Sequence, residues 1–145
     1  MSPMLQKAGE PSFDELPDNF MKLQTQLMML SPIHYKKDYK MAVRIASELS
    51  SRKALTKVQA NYFESLVNNI MAYENKKLEM KNGEPIEILR FLLEENGLNG
   101  SDLGRILGQR QLGSKILNGT RALSLKHIKT LSAYFSVSPN LFLSS

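Results

Sequence analysis

The side chains best suited to chemistry crowd into one short stretch, Gly108 to His127, "GQRQLGSKILNGTRALSLKH". Gln109, Arg110, Gln111, Ser114, Lys115, Asn118, Thr120, Arg121 and Lys126 are all polar or basic, and no acid interrupts them. Their chemistry is recognition rather than bond-making. A glutamine amide can bond both positions of an adenine edge, lysine and arginine reach guanine acceptors, and serine and asparagine adapt as donors or acceptors. Asn118-Gly119-Thr120-Arg121 reads as a turn in which Thr120 and Arg121 could hold phosphates, with Lys126 and Lys129 adding charge nearby. Phosphate contacts fix docking, and base contacts supply sequence preference.

Such a set needs an element that presents it on one side. At about 100° per residue, Leu112, Gly113, Ile116 and Leu117 fall on one side of a short helix. Gln111, Ser114, Lys115 and Asn118 fall on the other, with Arg110 at the edge. Gly113 therefore faces inward, although an interior helical glycine costs about 1 kcal/mol relative to alanine. The expected return is close approach to the preceding helix, which fixes the angle of the outer face.

The flanking residues supply that neighbour. Pro85 suits a first helical position and Gly97 closes "PIEILRFLLEEN". Asn99 and Asp102 can start a second helix that buries Leu103, Ile106 and Leu107 and ends at Gly108. Ser124 caps a later helix carrying Leu125, Ile128, Leu131 and Phe135, and Ser138-Pro139 begins a last turn. Two short helices joined at a glycine and braced on either side form a helix-turn-helix.

Charge separates this part from the rest. Residues 1–96 hold 13 Lys/Arg and 13 Asp/Glu, whereas residues 97–145 hold six Lys/Arg against Asp102 alone. The whole formal excess of +5 lies in the last third, which points to an anionic partner, foremost nucleic acid.

Upstream, residues 1–17 are rich in Pro, Ser, Gly and Lys and read as a flexible tail. Residues 18–80 read as an N-terminal helical region for partner binding or dimer support, and residues 84–145 as the DNA-binding domain. Helices are expected from about Asp18, over Lys36–Ser50, and from a capping box at Thr56 and Gln59 to about Lys76. The apolar face of the last, Tyr62, Phe63, Leu66, Val67, Ile70, Met71 and Tyr73, is wide enough to serve its own core and a partner as well. "NKKLEMKNGEP" reads as a linker. No strand alternation occurs, so the fold class is all-α.

Other classes find little support. Cysteine is absent, which removes disulfides, thiolate metal sites and thiol nucleophiles. Only His34 and His127 could act as imidazole bases, and Glu94-Glu95 lacks an acid/base partner. No phosphate-binding glycine loop or zinc spacing appears, so neither an enzyme, a cofactor nor a metal is expected. No apolar run nears the roughly 20 residues of a membrane span, and the N-terminus lacks signal-peptide character; a cytoplasmic location is the expectation. A pure protein-interaction module is the rival reading.

The stretch "PIEILRFLLEENGLNGSDLGRILGQRQLGSKILNGTRALSLKHIKTLSAYFSVSPNLFL" resembles the Xre/Cro-type helix-turn-helix of HigA-like antitoxins. The likeness extends upstream through "SPIHYKKDYKMAV" and "TKVQANYFESLVNNIMAYE". It implies a five-helix lambda-repressor-like domain after an N-terminal helical segment. It also implies a homodimeric repressor of double-stranded operator DNA and a HigB-type, messenger-RNA-cleaving toxin as partner. By position, Gln109, Arg110, Gln111, Ser114 and Lys115 would face DNA, with Arg121 and Lys126 near phosphates.

Overall fold

The computed structural model describes residues Glu10–Leu143. Among them the chain is helical, with no strand, as the sequence pattern requires. The helices are α1 (Phe20–Gln26), α2 (Lys36–Ser50), α3 (Lys57–Met80), α4 (Pro85–Glu95), α5 (Gly100–Ile106), α6 (Leu112–Leu117) and α7 (Leu125–Phe135), followed by a 3₁₀ turn over Pro139–Phe142. Two compact units are formed, Met1–Glu74 and Asn75–Ser145.

In the first unit, Asn19 caps α1 through a bond from Lys22 N to its side chain at 2.9 Å. α1 ends at Gln26, ahead of the Ser31–Pro32 pair rather than at it, and the reciprocal Thr56–Gln59 bonds open α3. The core gathers Leu23 and Leu27, Ile33, then Ala42, Ile45 and Leu49 from α2, and Tyr62, Leu66, Ile70 and Tyr73 from α3. The Tyr62 hydroxyl donates to Met28 O at 2.7 Å and accepts from Met28 N at 3.2 Å. Burial pushes its pKa up to about 12. Of the wide α3 face, four residues serve this core, Phe63 and Val67 are half-buried, and Met71 is exposed.

Two features differ from the sequence expectation. Residues 1–9 of the expected flexible tail lie outside the described residues, but the stretch from Glu10 onward is held. Pro11 is buried, Arg52 donates to Phe13 O at 2.6 Å, and the buried Gln59 amide donates to Leu16 O and Pro17 O. Backbone carbonyls, which carry no compositional signature, do this holding. The expected linker from Asn75 is helical as far as Met80. Lys, Leu, Glu and Met are all good helix formers, and no breaker precedes Gly83.

The second unit packs Ile88, Leu89, Leu92 and Leu93 of α4 against Leu103, Leu112, Ile116, Ile128, Leu131 and Phe142. Three of its helices begin where residue chemistry dictates. Pro85 opens α4, while Asn99–Asp102 and Ser124–His127 form complete capping boxes for α5 and α7. Glu95 at the end of α4 is buried and is met by Lys77 Nζ at 3.2 Å. A buried carboxylate without such a partner would cost several kcal/mol.

Candidate nucleic-acid interface

The α5–α6 pair is built on contacts that only glycine allows. A β-carbon placed on Gly113 would lie 1.9 Å from the Gly100 carbonyl oxygen and 2.8 Å from Gly104 N. One placed on Gly104 would lie 2.2 Å from Arg110 O and 2.6 Å from Gln109 O. These are backbone atoms that no rotamer change moves aside. The two helices therefore meet backbone to backbone. The inward-facing Gly113 does what the wheel implied.

The connection bends at Gly108, whose φ of +94° lies in the region glycine favours. Gln109 N then donates to Gly104 O at 2.8 Å and Leu112 N to Gln109 O at 3.0 Å. Gln109, Arg110 and Gln111 thus occupy the turn ahead of α6, and Gln111 is its N-cap without a side-chain capping bond. The candidate reading segment is a fixed turn followed by a six-residue helix. The helix is shorter than the sequence pattern suggests.

Burial follows the helical wheel. Leu112, Gly113 and Ile116 are buried and Leu117 is half-buried, whereas Gln111, Ser114, Lys115 and Asn118 are exposed. All nine candidate residues, Gln109, Arg110, Gln111, Ser114, Lys115, Asn118, Thr120, Arg121 and Lys126, are exposed. Some already have internal work. Ser114 Oγ donates to Gln111 O at 3.3 Å, leaving its lone pairs outward. Asn118 Oδ1 accepts from Thr120 N at 3.0 Å and lies 2.7 Å from Thr120 Oγ1, which is also 3.1 Å from Lys115 O. Asn118 and Thr120 therefore shape the turn as well as lining the surface.

Charge converges beyond the turn. Arg121 and Lys126 both act on His127, which sits at the N-terminus of α7. His127 Nδ1 accepts from Ser124 N at 3.1 Å, so the bonded ring is the neutral one. Partial burial, then the charges of Arg121 and Lys126, hold its pKa below the usual histidine value. The sole acid of this region, Asp102, is occupied elsewhere. Its carboxylate takes the Asn99 N–H at 2.8 Å and the Arg105 guanidinium. Backbone hydrogen bonding from Asn99, assisted by Arg105, keeps its pKa low.

Two further residues support the site that sequence reasoning had not singled out. Gly104 carries half of the helix contact, and its spacing of four from Gly100 is a legible sign of a shared face. Arg90 of α4 donates through Nη2 to Leu117 O at the end of α6. Its partner is a carbonyl, so no residue type marks the pairing.

The fold and this surface define a helix-turn-helix protein. Comparison with known proteins agrees: a 58-residue segment, 40% of this chain, is 41% identical to Antitoxin HigA of Escherichia coli K12. The same figures hold for Antitoxin HigA of E. coli O6:H1 and of Shigella flexneri. The chain is thus HigA-like over that segment, which spans 41% of the length of these curated relatives. No protein-family model matches the chain. Among the described residues no helix is long and apolar enough to cross a membrane.

Proposed function

We propose that this chain is a sequence-specific DNA-binding repressor and the antitoxin of a HigB/HigA-type pair, binding a messenger-RNA-cleaving toxin and its own operator. The observation that carries the DNA-binding reading is the Gly113–Gly100 contact. It seats α6 rigidly while leaving the polar edge of Gln111, Ser114 and Lys115 exposed. Gln109, Arg110, Gln111, Ser114 and Lys115 read bases, with Asn118 on the same outer face, while Thr120, Arg121 and Lys126 position phosphates. A homodimer would present two such segments about one helical turn, roughly 34 Å, apart. The antitoxin part of the reading draws on the likeness to Antitoxin HigA, and the N-terminal helical region serves partner binding or dimer support.

The testing experiment is binding to the chain's own upstream DNA against scrambled DNA at two salt concentrations. Preference for the native sequence, with affinity falling as salt rises, supports the reading. Absence of preference at both salts refutes it and favours the alternative, a protein-interaction module with a DNA-inactive motif. That alternative has its own observation: Met21, Met29 and Met71 of the first unit are exposed apolar side chains. Co-purification with a co-expressed HigB-type toxin separates an antitoxin from a solitary regulator.

A further inference from the structure

We propose that Arg90, which lies outside the reading segment, is a positioning residue that anchors its C-terminal end. The inference deepens the DNA-reading proposal and rests on it. A six-residue helix has little hydrogen bonding of its own, and its last four carbonyls need partners from outside the ladder. The chain that follows supplies three of them. Ser114 O accepts from Asn118 N at 2.9 Å, and Ile116 O from Gly119 N at 3.2 Å. Lys115 O accepts from Thr120 N at 3.0 Å and Arg121 N at 3.1 Å. The fourth, Leu117 O, is met by the Arg90 guanidinium from α4.

This bond differs in kind from the four that the following chain supplies. They are local and turn with the helix, so they shape its end without fixing its direction. The Arg90 bond ties the end of α6 to a different helix, whose neighbouring residues Ile88, Leu89, Leu92 and Leu93 are set in the core. It also places a fixed positive charge at the negative end of the α6 dipole. The N-terminal half of α6 is located by Gly113 against Gly100; in the other half Ile116 is set in the core, and Arg90 adds a bond to the terminal carbonyl. The core contacts and the glycine contact hold the inner face of α6, and the Arg90 bond adds a tie at its C-terminal end that sets its final direction. Arg90 is itself exposed, so water can replace it at Leu117 O, and its loss acts on orientation more than on folding.

The test compares Arg90→Met and Arg90→Lys with the unaltered 145-residue chain in three measurements: affinity for native and scrambled upstream DNA over a salt series, amide hydrogen exchange without DNA, and melting temperature. Arg90→Met is expected to cut the native-to-scrambled affinity ratio by roughly tenfold, the scale of one misaligned base contact. Its salt slope should match the unaltered chain. Exchange should quicken at Asn118, Gly119 and Thr120 with α4 unchanged, and Arg90→Lys, which keeps one donor and the charge, should restore part of both. Equal loss on both DNAs with a salt slope smaller by about 0.9 would instead make Arg90 a phosphate contact and overturn the proposal. A lower melting temperature with an unchanged affinity ratio would make it merely structural, and would overturn the proposal as well. If the unaltered chain prefers no sequence, the DNA reading itself fails. The exchange data then decide the anchor alone, and unchanged exchange in Arg90→Met removes it.

Discussion

Gly113 and Gly100 touch through backbone: a β-carbon on Gly113 would stand 1.9 Å from the Gly100 carbonyl oxygen, while one on Gly100 would meet only Leu117 Cδ1 at 3.5 Å and the Ser114 backbone beyond it. The contact is therefore asymmetric. Gly113→Ala must push α5 and α6 apart, at a cost on the order of 3 kcal/mol for overpacking against a rigid backbone. Gly100→Ala meets ordinary van der Waals space and gains helix propensity, so its stability should be unchanged or higher by up to about 1 kcal/mol. Denaturant unfolding of the two variants checks this. Equal destabilisation by both would refute the asymmetric contact.

The division of labour on the candidate surface gives a second prediction. Gln111→Ala and Lys115→Ala should each lose about 1–3 kcal/mol on the native sequence with little change on scrambled DNA. Arg121→Ala should weaken both similarly and reduce the salt slope by about one. Titration of all three variants on both DNAs at several salt concentrations decides it, and uniform losses across the three would remove the distinction.

Much of the fold was legible because its signals are local. The Thr56–Gln59, Asn99–Asp102 and Ser124 caps, Pro85 and the Gly108 turn each announce a helix end through residue type, and the structure uses each there. The inward placement of Gly113 followed from spacing alone. What stayed hidden works through backbone carbonyls. Phe13 O, Leu16 O and Pro17 O tie residues 13–17 to Arg52 and Gln59, and Leu117 O receives Arg90. Every residue owns a carbonyl, so sequence does not say which one is met. The start of α6 was hidden for a related reason: Gln111 ends the turn without a capping side chain, and tertiary contact with Gly104 sets the boundary.

His127 makes stability depend on pH in a definite direction. Its Nδ1 accepts from Ser124 N, and partial burial with Arg121 and Lys126 nearby lowers its folded pKa below about 6.5, the unfolded value. The unfolded chain then binds the proton more readily. The contribution of this group is complete above about pH 6.5 and is lost as pH falls from there through the lower folded value. His127→Gln keeps a capping-box partner and removes the titration. The melting temperature of the unaltered chain should drop more steeply between about pH 7.5 and 5 than that of the variant. Parallel curves would show that His127 does not carry the effect.

Tyr62 offers a test of the first unit that leaves the basic surface untouched. Its ring is fully buried, and its hydroxyl is both donor to Met28 O and acceptor from Met28 N. Tyr62→Phe keeps the ring but strands a backbone N–H and a carbonyl in a half-buried turn. Leaving such groups unmet costs about 1–3 kcal/mol, the more so the less water reaches them. The variant should unfold at lower denaturant concentration by that amount, with quickened amide exchange at Met28. The far-ultraviolet circular dichroism of the folded state should not change, since no helix loses a bond of its own ladder. A stability equal to the unaltered chain would mean that water replaces the hydroxyl, and the Tyr62–Met28 pair would no longer count among the forces holding the segment after α1 to α3.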